Sequence, residues 1–183
     1  MVYPVRIFGD PVLREKAKPV ATIDMQIKQL VQDMFETMYA MDGIGLAAPQ
    51  IGVGLQILVI DLGQGDASKI AFINPNVYTE GELTGFTEGC LSVPGITGEV
   101  LRPEHAMISG TTLDGKTHEL RAEGLLARAI QHEADHLNGI IFVDRFSAVR
   151  RALVKGKLRR LVQDFQTGKT RIDYSSEKEN GLL

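Results

Sequence analysis

Residues 123–139 read Glu-Gly-Leu-Leu-Ala-Arg-Ala-Ile-Gln-His-Glu-Ala-Asp-His-Leu-Asn-Gly, and the rest of the chain is read outward from them. The spacing predicts a helix from about Glu123 to Asn138, stopped by Gly139. His132 and His136 stand four residues apart, so a helix projects both from one face, where they can bind one metal ion. Glu133 sits beside the first histidine, near enough to handle the proton of a water activated by that metal. The plain alternative is two solvated histidines on a helix surface. Apolar Leu125, Leu126 and Ile130 on one flank and Ile140, Ile141 and Phe142 on the other argue for a buried helix instead. Buried histidines need partners.

Familiar peptidase patterns do not complete the site. A metzincin places a third histidine where this chain has Phe142, and a thermolysin-like enzyme needs a downstream glutamate, but none lies between Glu133 and Glu177. Asp144 is one remaining ligand candidate; otherwise the third ligand is to be sought upstream. The lone cysteine, Cys90, lies in Glu88-Gly89-Cys90-Leu91-Ser92. It has three readings: a small buried apolar residue, a nucleophilic thiol beside a histidine, or a thiolate completing a Cys-His-His site. A Cys/His dyad needs only one histidine and leaves Glu133 without a task.

Asp42-Gly43-Ile44-Gly45-Leu46-Ala47-Ala48-Pro49-Gln50 fits a dinucleotide-binding glycine pattern, but the order of elements is wrong. That pattern follows a strand and opens a helix, whereas here a helix precedes it and Pro49, Gly52 and Gly54 leave no room for another. A helix cap running into a turn explains Gly43. It does not explain why Gly45, Ala47 and Ala48 are all small, which suits the close approach of an extended substrate. Gln50 can then donate a side-chain N–H to a developing oxyanion.

Around these segments the sequence predicts a single α+β domain. An amphipathic helix over 23–39, capped by Thr22 or Asp24 and stopped at Asp42-Gly43, follows an irregular arm at 1–22. A buried strand is expected at 55–61, and short strands at 70–78, 83–87, 99–101, 105–112 and 117–122. A last helix at 147–166 has Val149, Leu153, Leu158, Leu161, Val162 and Phe165 as its apolar face, and residues 167–183 read as a flexible tail. The expected architecture is one domain over 1–166, with short, mostly antiparallel strands around the central metal-binding helix and further helices toward each terminus.

The chain has 183 residues, 44% of them hydrophobic and 23% charged, in keeping with one soluble domain. One cysteine excludes an internal disulfide, and no apolar run approaches the roughly 20 residues of a membrane span. No signal peptide is read at the start, so a cytoplasmic location is expected. The formal charge of −3 divides unevenly: residues 148–166 carry six basic side chains against Asp164, a net +5, which leaves −8 on residues 1–147. This does not look like a general or sequence-specific nucleic-acid binder, but the basic segment could meet a polyanion.

Taken together, Gly43–Gln50, Glu88–Ser92 and Gln131–His136 make the sequence resemble the peptide deformylase family over about residues 3–165. The resemblance implies a hydrolase that removes the N-formyl group from the initiator methionine of new polypeptides and releases formate. It implies one divalent metal held by Cys90, His132 and His136, physiologically Fe²⁺, with Zn²⁺, Ni²⁺ or Co²⁺ able to substitute. By the same resemblance Glu133, Gln50 and the backbone N–H of Leu91 are catalytic, and Ile44, Gly45, Gly89, Leu125 and Ala129 bind substrate. Glu88 orients the site, through Arg102, or forms a purely structural ion pair with it. The family usually has an aliphatic residue where Arg128 stands, and Arg128 either packs its stem against the methionine or points away. The partners implied are N-formylmethionyl nascent peptides, with the basic segment at 148–166 offering ribosome contact and no membrane. A metallopeptidase, or a catalytically silent metal-stabilised binding module, are the competing readings.

Overall fold

The computed structural model describes residues 1–65, 69–168 and 171–172. The N-terminal arm carries a short strand, β1 (Val5–Arg6), and a 3₁₀ turn at Pro11–Arg14. Helix α1 (Met25–Ala40) starts at Asp24, whose carboxylate accepts from the N–H groups of Gln26 and Ile27, and stops where Asp42 enters the left-handed region at φ 52°.

Five strands then form one antiparallel sheet in chain order: β2 (Gly45–Ala47), β3 (Ile57–Ile60), β4 (Ile70–Glu88), β5 (Gly98–Thr111) and β6 (Thr117–Glu123). Helix α2 (Gly124–Leu137), a 3₁₀ turn at Phe142–Arg145 and helix α3 (Ala148–Gln166) follow. Among the described residues this is an α+β fold around a central helix, as expected, and no helix is long and apolar enough to cross a membrane.

Strand β3 explains how the layers form. Its four residues are fully buried and alternate between two cores. Leu58 and Ile60 join Phe72, Ile108, Ala127 and Ile130, the core shared with α2. Ile57 and Val59 join Val31, Met34 and Met38 of α1. Period-two alternation thus places one helix on each face of the sheet. Burying each such aliphatic side chain contributes about 1.5–3 kcal/mol. A third core gathers Val93, Ile96 and Val100 with Phe142, Phe146, Val154 and Leu161, and it seats α3 beside the β4–β5 connection.

Several expectations need correction. Segments 70–78 and 83–87 are one 19-residue strand, and 99–101 and 105–112 are likewise one strand, β5. The polar run at 80–82 is absorbed as a register shift between Glu80 and Leu83, with Gly81 at φ 94°, rather than as a turn. Pro103 is tolerated in β5 because β6 pairs with that strand only from His105 onward. The glycine-rich segment is no mere turn, since Gly45–Ala47 forms the edge strand β2. On α3, Val149 and Leu153 are exposed, while Val154 and Leu161 are buried, so the inward face is rotated from the one expected. In the expected tail, Arg171–Ile172 form β7 and pair with β1. The remainder of that tail, 169–170 and 173–183, lies outside the described residues.

Candidate metal centre and active site

Two elements meet to build the site. Strand β4 ends at Glu88 and hands the chain to Gly89 and Cys90, while α2 projects His132 and His136 from one side. The Cys90 Sγ lies 3.2 Å from His136 Nε2, and the ligand atoms of Cys90, His132 and His136 all fall within 4.8 Å of one another. Among the described residues this is the one such His/Cys/carboxylate cluster with metal-holding geometry. A thiolate and two imidazoles form a suitable donor set for a tetrahedral divalent ion with one position left open.

The surroundings fit that use. His132 Nδ1 faces Glu88 Oε2 at 3.0 Å, so its Nε2 is left for the cluster. Glu88 in turn accepts from Arg102 Nε at 2.7 Å and Nη2 at 3.0 Å, and Arg102 Nη1 reaches Asp135 Oδ2 at 2.8 Å. Arg145 closes the chain by donating to Asp135 at 2.6 Å. Arg102 is almost wholly buried, with two carboxylates on one guanidinium. Burial alone would raise Glu88, but the hydrogen bonds from His132 and Arg102 outweigh it and hold its carboxyl at about 2. Burial opposes a charge on His132 too, yet Cys90 and Glu88 raise it well above the ordinary imidazole range. Burial and the neighbouring His132 charge lower His136 well below its ordinary value.

Glu133 occupies the other wall. Its Oε2 is buried and has no hydrogen-bond partner among the described residues, and burial pushes its carboxyl up to about 7. A carboxyl poised there can both accept and return a proton near neutrality. Gly45 explains itself against this residue: a Cβ on it would stand 2.5 Å from Glu133 Oε1. The amide of Gln50 is oriented by a local contact, because its Oε1 accepts from Ala47 N–H at 2.8 Å. Its Nε2 therefore turns toward the cluster, 3.6 Å from Cys90 Sγ and 3.4 Å from Ser92 Oγ.

A cavity of about 460 Å³ opens in front of these groups. Ile44, Gly45, Gln50, Gly89, Cys90, Leu91, Leu125, Ala129, His132 and Glu133 all line it, and His136 stands behind Cys90. The sequence-derived set is thus brought together as a whole. Ile44 and Leu125, both lining it, remain about half exposed and offer an apolar surface. Sequence reasoning missed Phe86, which lines the cavity, and the pairing of Asp135 with Arg102 and Arg145. Asp135 lies inside the histidine motif, but no spacing rule separates a buried ion-pair partner from a solvated helix residue. Arg128, left between two readings, does neither alone: it lines the cavity, yet it is buried and its guanidinium bonds to Val100 O and to Thr84.

Residues 2–152 match the family described as polypeptide deformylase. The chain is 49% identical to the peptide deformylase of Saccharophagus degradans over 85% of its own length and 91% of that protein's. It is 52% identical to the peptide deformylase of Halothermothrix orenii, over 79% and 93% respectively. Among solved structures, a peptide deformylase from Synechococcus elongatus in complex with actinonin superposes with a TM-score of 0.77 at 43% identity, covering 88% of this chain and 85% of that one. A Plasmodium falciparum peptide deformylase superposes with a TM-score of 0.85 at 35% identity, covering 90% and 98%.

Proposed function

The chain belongs to the polypeptide deformylase family, and from that premise we propose how its own residues act on their substrate. The reaction is hydrolysis of the formyl amide on the N-terminal methionine of a new polypeptide, giving formate and a free amine. The observation that carries the residue assignment is the convergence of Cys90, His132 and His136 within 4.8 Å at the floor of a cavity that also holds Glu133 and Gln50.

Cys90, His132 and His136 hold a divalent ion, and when bound it supplies Lewis acidity that polarises the formyl carbonyl and acidifies water. Glu133 takes a proton from the attacking water and delivers it to the departing amine nitrogen, for which its unpartnered Oε2 is free. The Gln50 Nε2 and the Leu91 backbone N–H donate to the oxygen that gains charge as the carbonyl carbon becomes tetrahedral. Glu88, fixed by Arg102, keeps the His132 ring in one orientation. Ile44, Leu125 and Ala129 receive the methionine side chain, and Gly45 and Gly89 let the substrate backbone lie close.

Fe²⁺ is the proposed physiological ion. That choice rests on family resemblance, because one thiolate and two imidazoles suit Fe²⁺, Zn²⁺, Ni²⁺ and Co²⁺ alike. A cytoplasmic setting suits it, since a reducing compartment protects the thiolate. The basic face of α3 is proposed to meet ribosomal RNA, where nascent chains emerge. Of its cations, Arg150, Arg151 and Lys157 already bond to Thr97, Asp144 and Gly95, so Lys155, Arg159 and Arg160 are the ones proposed for that contact.

Anaerobic purification with metal analysis, followed by formate release from formyl-Met-Ala-Ser, tests the reading. One divalent ion per chain and stoichiometric formate are expected. Cleavage of the Met-Ala bond, or bound metal without formate, overturns it.

A further inference from the structure

Next to the active-site cavity, and sharing one lining residue with it, is a second cleft of about 380 Å³, lined also by Thr84, Pro103, Glu104, His105 and Glu123. Arg128 is the residue common to both linings. Its placement is over-determined: Nη1 donates to Val100 O at 3.2 Å, Nη2 donates to the Thr84 carbonyl and to Thr84 Oγ1 at 2.9 Å, and the guanidinium lies 5.3 Å from the centre of the Phe86 ring. Nη1 also stands 3.5 Å from Glu88 Oε1. Thr84 and Phe86 belong to β4 and Val100 to β5, so one side chain of α2 is bolted to both strands of the cavity wall. Phe86, which it stacks on, lines the active-site cavity, while Thr84, which it grips, lines the second cleft.

We propose that Arg128 sets the depth of the first side-chain pocket by standing as the partition between the active-site cavity and the cleft next to it. This rests on the deformylase reading of the cavity and adds a specificity determinant to it. A guanidinium held by carbonyls of two strands cannot swing aside as a free aliphatic side chain can, so a side chain longer than methionine meets a fixed wall. Without the head group the two cavities join, and a longer unbranched chain can run on into the cleft.

The test is formate release from formyl-X-Ala-Ser, with X as Met, norleucine and progressively longer unbranched homologues. The wild type is expected to lose about tenfold or more in kcat/KM per added methylene once the wall is met, mainly through KM. Arg128→Ala and Arg128→Leu, the second retaining apolar packing against Phe86, are expected to raise the ratio of long-chain to Met kcat/KM by at least about tenfold. Arg128→Lys, which keeps the stem but cannot grip two carbonyls, falls between. The free-amine product peptides should show the same ordering in calorimetric Kd, a readout independent of turnover. A wild type that takes the longest homologue as readily as Met overturns the proposal without any variant. So does an unchanged ratio in folded, metal-loaded Arg128→Leu. A wild type that turns over none of the series, formyl-Met included, overturns instead the reading of the cavity on which the partition rests.

Discussion

Cys90 and Glu133 line one cavity, yet their losses are separable. Cys90→Ala removes a donor and is expected to empty the site, seen as loss of metal after gel filtration. Glu133→Ala leaves all three donors and is expected to keep the ion while turnover falls about 10²–10⁴-fold, the range for a general acid–base group. Metal content and formate release measured on the same samples distinguish the two. Glu88→Gln tests the support of His132: the bond to His132 weakens, and metal affinity should fall about 10–100-fold with the ligands intact. The histidine pair and Glu133 were legible from side-chain chemistry and spacing, whereas Cys90 stayed open among three readings and only the resemblance to a known family made it a ligand. The Arg102 network was less legible, because Arg102, Asp135 and Arg145 come from different elements and only the fold makes them neighbours.

Element boundaries followed local chemistry well where a cap decided them and poorly where tertiary pairing did. Asp24 and Gly139 mark helix ends that any reader of caps would find. Gly139 is also a close approach: at φ 71° a Cβ would stand 2.4 Å from Arg14 O. Gly139→Ala is therefore expected to destabilise by at least about 1–3 kcal/mol, read as a lower urea midpoint, with the metal ligands unchanged. The long strands β4 and β5 escaped the sequence reading because Gly81 and Pro103 signal breaks locally. The pairing of these strands absorbs both. Strand β2 escaped it because three small residues carry no alternation, and the burial of Gly45–Ala47 against α2 and β3 supplies what propensity lacks. On α3, packing against Val93, Phe142 and Phe146 selects Val154 and Leu161, a choice that helical spacing alone leaves open between two overlapping faces.

The N-terminal arm, the turn after α2 and the start of α3 are fastened at one point. Asp144 pairs with Arg14 and, at 3.0 Å, with Arg151, and it accepts from Ile141 N–H at 2.9 Å. Burial would raise its carboxyl, but the Arg14 hydrogen bond and the Ile141 N–H lower it below the ordinary 3.8. A group depressed on folding contributes stability in full above its unfolded value and loses it as pH falls through the folded one. Acid unfolding should therefore show a component at and below the ordinary carboxylate range that Asp144→Asn removes, with little change between Asp144→Asn and wild type in the slope of stability against pH above it. Urea titrations across that range check this.

The three proposed metal donors do not come from one piece of chain. Two sit on α2 and the third follows β4, so an ion held among them is a cross-link between helix and sheet as well as a reagent. Folding and occupancy are then one coupled equilibrium. At a free-ion concentration a thousand times its Kd, binding to the native state alone adds about 4.1 kcal/mol. The melting temperature should climb with added ion and drop under a chelator, even in Glu133→Ala, where turnover is largely lost. A thermal melt thereby becomes a balance on which rival ions can be weighed against each other without a single turnover.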